Sequence, residues 1–425
     1  MQKFYVETFG CTANTSATEL MTYLLNECGY EKVSDLHDAD FVLINTCIVK
    51  APTENKIKDQ LVKTYQKKPL IVAGCLPQVL DEWCTKNIPE AALIGVDHFG
   101  DVCLAAKSVL ANESFESLSR DKNFCLEAHR IRDRRLTGII EISKGCTGQC
   151  AYCIVRIAKG LLISKSKEQI TKEAQLAISE GCKELWVTAQ DTASYGVDIN
   201  SSLPEIVDEI TNLEGDFMVR IGMLNADYAL PIIKKLKSLL QNPNVYTFLH
   251  IPLQSGSDQV LEKMKRKYTI NEFRKLINEL RNSVNLTLST DIITGFPGET
   301  EEDFIQTTKL LDELQFDIVN ISKYGDRKGT VASKSKDKLP TEVVKERSSK
   351  LTVQVSKMTL ERNKKWVGWK GSALALRRDK DPNQTLLRNK FYKLIAINDS
   401  TLELGKWYNV EIVDARKTRL IGSLV

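Results

Sequence analysis

Three cysteines in the run Lys144-Gly145-Cys146-Thr147-Gly148-Gln149-Cys150-Ala151-Tyr152-Cys153, spaced C-x3-C-x2-C, follow directly on a β-rich stretch, Gly138 to Ser143. That placement constrains the fold more than any other feature of the chain. A thiol-bearing loop at the end of a strand belongs to an α/β unit, because such sheets carry their ligand sites beyond the carboxyl ends of their strands. Soft thiolates from one short loop suit three irons of a [4Fe–4S] cluster and leave the fourth iron open. Zinc is the rival, yet structural zinc sites pair four ligands, and no second C-x2-C or H-x3-H lies nearby.

The strand series continues after that loop, with Leu185–Thr188, Met218–Gly222, Thr247–Pro252, Leu286–Ile293 and Ile318–Lys323. Helical patterns alternate with it over 167–180, 203–212, 231–240, 270–282 and 301–314. Six strands alternating with helices predict a partial, TIM-like (β/α)6 barrel over residues 126–365, following a charged linker at 120–135. Residues 1–125 read as a separate parallel α/β domain, with strands Phe4–Phe9, Phe41–Ile44 and Leu70–Ala73 and helices over 17–28 and 52–67. Cys11, Cys47 and Cys75 each fall at the end of one of those strands, so three more thiols converge on one rim. Past a charged helix at 341–365, short apolar runs at 372–376, 391–397, 407–413 and 420–424 predict a small β-barrel over residues 366–425.

Of the chain's 11 cysteines, the remaining five, Cys28, Cys84, Cys103, Cys125 and Cys182, have no partner spacing and are expected as unpaired thiols. No apolar run approaches the roughly 18 residues of a membrane span, so a soluble, intracellular protein is expected. The formal net charge of +4 hides an asymmetry. Lys and Arg number 35 against 44 Asp and Glu in residues 1–322, but 24 against 11 in residues 323–425. A basic C-terminal quarter suits a polyanion, nucleic acid first and an anionic membrane surface second.

The cysteine spacing with Tyr152 before the third thiol resembles the radical S-adenosylmethionine superfamily. The added trio Cys11, Cys47 and Cys75 is similar to the methylthiotransferases within it. Matching stretches are Ala189-Gln190-Asp191-Thr192, His250-Ile251-Pro252-Leu253-Gln254-Ser255-Gly256-Ser257-Asp258 and Gly295-Phe296-Pro297-Gly298-Glu299-Thr300. The tail from Leu404 to Gly422 resembles the TRAM domain, an RNA-binding barrel. Asn45-Thr46-Cys47-Ile48-Val49-Lys50-Ala51-Pro52-Thr53-Glu54 and Asn242-Pro243-Asn244-Val245-Tyr246 are similar to the archaeal and eukaryotic branch.

The resemblance implies that Cys146, Cys150 and Cys153 hold a catalytic [4Fe–4S] cluster on which S-adenosylmethionine is cleaved to a 5′-deoxyadenosyl radical. It also implies that Cys11, Cys47 and Cys75 hold a second cluster that delivers sulfur. The branch methylthiolates C2 of N6-threonylcarbamoyladenosine at position 37 of tRNA. The same chemistry on isopentenyl-adenosine or on a ribosomal-protein aspartate, and a non-catalytic iron–sulfur RNA-binding redox sensor, remain alternatives.

Tyr152, Gln190, Asp191, Arg220, Gln254, Ser255 and Asp291 are then candidates for contacts to S-adenosylmethionine or the adenosine. Arg377, Arg378, Lys380, Arg388, Lys390, Lys393, Arg416, Lys417 and Arg419 are candidates for RNA. An electron donor, a cytoplasmic location and, by default, a monomer complete the expectation. Lys159 stands where the family commonly has arginine, a change that keeps the charge and loses the bidentate fork.

Overall fold

The computed structural model describes residues 1–49, 51–121 and 129–425, and of residues 51–53 the backbone alone. Cys125, the boundary between 125 and 126, and Lys50 in the quoted stretch lie outside the described residues.

The chain begins with β1 (Lys3–Thr8), α1 (Thr12–Glu27), β2 (Glu31–Val33), β3 (Phe41–Thr46), α2 (Ala51–Tyr65), β4 (Leu70–Gly74), α3 (Cys75–Val79), α4 (Asp81–Asn87), β5 (Ala92–Ile94), α5 (Val102–Leu110) and β6 (Glu116–Ser117). The strands pair in parallel in the order β2-β1-β3-β4-β5-β6. The central strands β3 and β4 are buried on both faces and read as unbroken apolar runs for that reason. One face packs Val42, Ile44, Ile57, Leu61 and Val72, and the other packs Phe4, Met21, Leu25, Leu43 and Ile71.

The central unit runs through β7 (Thr137–Glu141), β8 (Ser143–Lys144), α6 (Val155–Lys159), β9 (Ile163–Ser164), α7 (Lys167–Ser179), β10 (Glu184–Thr188), α8 (Leu203–Thr211), β11 (Met218–Ile221), α9 (Ala226–Ala229), α10 (Ile233–Gln241), β12 (Phe248–His250), α11 (Asp258–Lys263), α12 (Ile270–Arg281), β13 (Thr287–Thr294), α13 (Glu301–Leu314) and β14 (Ile318–Lys323). Two three-stranded parallel sheets, β7-β10-β11 and β12-β13-β14, are joined by the parallel bridges Val219 to Val245 and Met223 to His250. The result is the six-stranded open barrel that the alternation predicted. Capping boxes at Ser166/Gln169, Thr269/Glu272 and Thr300/Asp303 start α7, α12 and α13, satisfying backbone N–H groups that a helix end leaves open.

Helix α14 (Thr341–Lys364) leads to β15 (Lys370–Arg378), β16 (Thr385–Asn389), β17 (Leu394–Ile397), β18 (Trp407–Ala415) and β19 (Leu420–Leu424), which close as a barrel in the order β15-β16-β17-β19-β18. This small barrel closes over the amino ends of the central strands. The Thr247 N–H donates to the Lys390 carbonyl at 2.9 Å, and Tyr392 packs on Tyr246 and Phe248 with ring centroids 5.0 and 4.4 Å apart. The expectation of unpaired thiols fails at one pair: Cys28 and Cys103, 75 residues apart, form a disulfide joining the end of α1 to α5.

Candidate active site

The loop that carries Cys146, Cys150 and Cys153 leaves the central sheet at the carboxyl end of β7, is held at its base by the β8/β9 hairpin, and runs into α6. The Gly148 N–H donates to Cys146 Sγ at 3.2 Å, and a Cβ at Gly148 would lie 3.2 Å from that sulfur and 3.8 Å from Cys150 Sγ. Glycine therefore keeps open the space between two thiols. Arg266 Nη1 donates to Cys150 Sγ at 3.2 Å while Nη2 donates to Asn225 Oδ1 at 2.7 Å. Asn225 in turn donates through Nδ2 and its backbone N–H to the two oxygens of Asp191, at 2.8 and 3.0 Å. A thiol and a buried carboxylate are thus linked through one guanidinium. Burial pushes Cys146 up to about 11, Cys153 to about 12 and Asp191 to about 6. Thiols of this kind give up their protons to a metal rather than to water. Tyr152 packs edge-on to Phe296, with ring centroids 6.4 Å apart.

The other trio lies on the rim of the N-terminal sheet. Cys11 opens α1, Cys47 follows β3 and Cys75 opens α3. Their three loops are tied by side-chain bonds to backbone. Asn14 Nδ2 donates to the Phe9 and Thr46 carbonyls at 2.9 and 2.8 Å, Thr46 Oγ1 donates to the Ala73 carbonyl at 2.6 Å, and the Leu76 N–H donates to Thr46 Oγ1 at 3.1 Å. Gly10 adopts a φ of +122°, and a Cβ there would meet Cys47 Cβ at 2.7 Å. Burial raises Cys47 and pushes Cys75 up to about 12.

The two trios are connected through α6. Ile154 and Ala158 pack into the same apolar cluster as Cys75 and Leu76. Lys159, at the end of α6, is buried; burial works against its ammonium, but Glu141 and, in their thiolate form, Cys75, Cys11 and Cys47 more than reverse this and raise its pKa. Arg120 donates to the Ala158 and Ile157 carbonyls, and Arg327 pairs with Glu54 at 2.6 Å across the same seam.

Within the barrel, buried oxygens of Glu141, Thr147, Gln190, Gln254, Thr294 and Tyr324 have no hydrogen-bond partner among the described residues. All six lie at or just past the carboxyl ends of the barrel strands, and uncompensated polar atoms gathered at that end mark a site for a polar ligand. Gln254 is also held at φ +68° by the bonds from its N–H to the Asp291 carbonyl and from the Ile293 N–H to its own. Ser255 is buried beside it, its Oγ accepting from the Ser257 N–H at 3.3 Å. Asp291 pairs with His250 Nε2 at 3.0 Å and accepts from Asn320 at 2.9 Å.

Arg220 departs from expectation. Its guanidinium lies among the rings of Trp186, Phe248 and Tyr392, at 5.3, 5.4 and 5.6 Å, toward the end plugged by the C-terminal barrel. Two of the RNA candidates are also corrected. Arg388 is turned inward, pairing with Glu184 at 2.7 Å and stacking on Tyr392 at 4.0 Å, and Lys393 is buried against Asp317 at 2.8 Å. Both anchor the small barrel to the central unit. Arg378 donates to Thr385 Oγ1 and the Leu402 carbonyl, Arg416 pairs with Asp414 and Arg419 with Asp379. Arg377, Lys380 and Lys417 are exposed and Lys390 is half-buried.

Sequence reasoning missed Arg266 and Asn225. Asn225 follows β11 and could have been found by the strand-end rule, whereas Arg266 lies in an ordinary Lys/Arg run with no local signal. Among the described residues no three His, Cys, Asp or Glu side chains gather tightly enough to hold a single metal ion, and no helix is long and apolar enough to cross a membrane.

The radical SAM superfamily model matches residues 140–311, and the model of uncharacterized protein family UPF0004 matches residues 3–95. The chain is 36% identical over 431 residues to the probable threonylcarbamoyladenosine tRNA methylthiotransferase of Pyrococcus abyssi, covering 100% of both chains. It is 34% identical to the threonylcarbamoyladenosine tRNA methylthiotransferase of Drosophila melanogaster and 32% identical to that of Homo sapiens, spanning 100% of this chain and 78% and 74% of those proteins. Among solved structures, the radical S-adenosylmethionine methyltransferase TsrM from Kitasatospora setae shares the fold, with a TM-score of 0.56 at 12% identity over 76% of this chain and 73% of TsrM. Membership of the radical SAM superfamily brings with it S-adenosylmethionine and a [4Fe–4S] cluster. With full-length relatives on this scale, the chain belongs to the threonylcarbamoyladenosine tRNA methylthiotransferase family.

Proposed function

We propose that the protein transfers a methylthio group to C2 of N6-threonylcarbamoyladenosine at position 37 of tRNA, giving the 2-methylthio derivative. The observation that carries the reading is α6. It leaves the Cys146/Cys150/Cys153 loop at one end and packs beside Cys75 along its length, so the two thiol trios share one wall. An aromatic C–H on adenine resists a sulfur nucleophile, so hydrogen removal and sulfur delivery must occur within reach of one substrate atom.

Cys146, Cys150 and Cys153 would hold the cluster that binds S-adenosylmethionine, and Cys11, Cys47 and Cys75 would hold a second one. Six thiols free of disulfides, Cys47 and Cys75 of them buried, and the space preserved at Gly148 suit such groups. When bound, these groups supply one-electron cleavage of S-adenosylmethionine, hydrogen abstraction and sulfur. Around them, Arg266 fixes Cys150 and orients Asn225 and Asp191, Lys159 sets positive charge beside the N-terminal thiols, and the buried, unpaired oxygens of Gln190 and Gln254, past the carboxyl ends of β10 and β12, would receive the nucleoside or S-adenosylmethionine. Exposed cations of the small barrel would hold tRNA phosphates, in a cytoplasmic setting with a one-electron donor. Nucleoside mass spectrometry of tRNA from cells lacking the protein tests this. The 2-methylthio derivative should vanish and N6-threonylcarbamoyladenosine accumulate; unchanged levels would exclude the substrate.

A further inference from the structure

A cavity of about 290 Å³ lies where the C-terminal barrel meets the amino ends of β7 and β10, with Arg134, Arg135, Arg377, Arg378, Asp133 and Glu184 among its lining. Thr137 and Glu184 are the first residues of those strands, so the cavity sits at the opposite end of the central barrel from the cysteine loop.

Its charges do not cancel. Glu184 is fully engaged, accepting from Arg388 and from the Tyr246 hydroxyl, each at 2.7 Å, and Asp133 pairs with Lys32 at 3.2 Å. Among the described residues, Arg134, Arg135 and Arg377 make no ion pair within 4 Å and Arg378 is hydrogen-bonded to neutral acceptors; the nearby carboxylates Asp379 and Asp399 act on Arg377 and Arg378 only from a distance, and Asp379 is itself paired with Arg419. Arg134 stacks on Trp186 at 5.3 Å, which fixes the guanidinium in place. Burial lowers the pKa of Arg377, and the neighbouring guanidiniums of Arg134 and Arg388 lower it further against the opposing pull of Asp379. Four exposed guanidiniums around one cavity concentrate positive potential there, and their planar forks match phosphate oxygens.

We propose that this cavity is a phosphate-binding site, built jointly by the linker and β15, whose occupant is a backbone phosphodiester of the tRNA at a distance from the modified nucleotide. The choice of occupant rests on the tRNA reading above, whereas the phosphate chemistry does not. A free polyphosphate offers the same chemistry and is the other source.

Two measurements on the full chain separate these outcomes. In the first, tRNA binding is followed by fluorescence anisotropy from 50 to 300 mM salt for wild type, Arg135→Gln, Arg377→Gln and the control Lys357→Gln on the exposed side of α14. Each arginine variant should weaken binding and reduce the slope of log K against log salt by about one, and the control should leave the slope unchanged. In the second, inorganic pyrophosphate should raise the melting temperature of wild type and not of the Arg135→Gln, Arg377→Gln double variant. A slope change together with pyrophosphate stabilisation that is lost in the double variant supports the phosphodiester. Pyrophosphate stabilisation lost in the double variant with an unaltered slope supports the phosphate site and overturns the tRNA occupant. Neither effect overturns the proposal. Should the double variant fail to fold, Arg135→Lys with Arg377→Lys keeps the charge and removes the forks, and is expected to lose pyrophosphate stabilisation while largely keeping the salt slope. Binding is read whether or not the RNA is methylthiolated, so failure of the tRNA modification itself appears separately, in the nucleoside analysis.

Discussion

Asp317 holds three parts of the molecule together, and Asp317→Asn tests how firmly. Its side chain is 2% exposed. Oδ1 accepts from Lys393 of the small barrel at 2.8 Å and from Arg362 Nε of α14 at 3.2 Å, while Oδ2 accepts from Arg362 Nη2 at 2.9 Å and from the Leu288 N–H of β13 at 3.0 Å. Asparagine keeps the volume but leaves the buried Lys393 ammonium facing a neutral amide. Removing one partner of a buried pair costs about 3–5 kcal/mol, because the remaining charge stays desolvated. At 1.4 kcal/mol per tenfold, amides of β16 and β17 should lose roughly 10²- to 10³-fold of their hydrogen-exchange protection. Replacing both partners, as Asp317→Leu with Lys393→Met, should recover part of it.

The pH dependence has a definite sign. Burial pushes the Asp317 carboxyl up, but Lys393 and Arg362 more than reverse this and hold it below the usual carboxylate range. Its contribution is therefore complete above the unfolded value of about 3.9 and is lost as pH falls through the lower folded value. The gap between wild type and Asp317→Asn should be constant from pH 8 to 5 and close below about 4. A loss of protection under tenfold at pH 7 would refute the reasoning.

Gly10→Ala must place a Cβ at 2.7 Å from Cys47 Cβ with φ at +122°, so it should cost about 1–3 kcal/mol locally and reduce iron retained by the N-terminal trio, measured with Cys146, Cys150 and Cys153 changed to alanine. Arg266→Met removes a cation and a donor from Cys150 Sγ; these favour the reduced cluster, so its reduction potential should fall by roughly 65–130 mV in an EPR titration, the one-electron equivalent of a charged hydrogen bond of about 1.5–3 kcal/mol, and an unchanged potential would count against the contact. Alkylating the unreduced, iron-free, denatured protein should label every cysteine except Cys28 and Cys103; labelling of both would remove the disulfide.

Periodicity made the architecture legible, since β3, β4, β13 and α13 are long, regular and buried on the faces their patterns indicate. The strands it missed are short or polar. β16 (Thr385–Asn389) carries only Leu386 and Leu387 among polar neighbours, and β2, β5 and β6 are two or three residues long. The thiols were legible because strand ends are where α/β folds put chemistry. Charge was not: Arg388 and Lys393 sit in the same basic tail as Arg377, and only the carboxylates of Glu184 and Asp317, far off in sequence, decide that two of them turn inward. The Cys28 to Cys103 pairing and the Arg266 to Cys150 contact span 75 and 116 residues and leave no local trace.

The central claim, two clusters with divided labour in one enzyme, is tested most directly by iron content and S-adenosylmethionine cleavage in the two triple variants. The reconstituted protein should carry about eight irons from two four-iron clusters. Changing Cys11, Cys47 and Cys75 to alanine should leave about four and spare reductive cleavage, and changing Cys146, Cys150 and Cys153 should leave about four and abolish it. An N-terminal triple variant that retains all its iron would contradict the account.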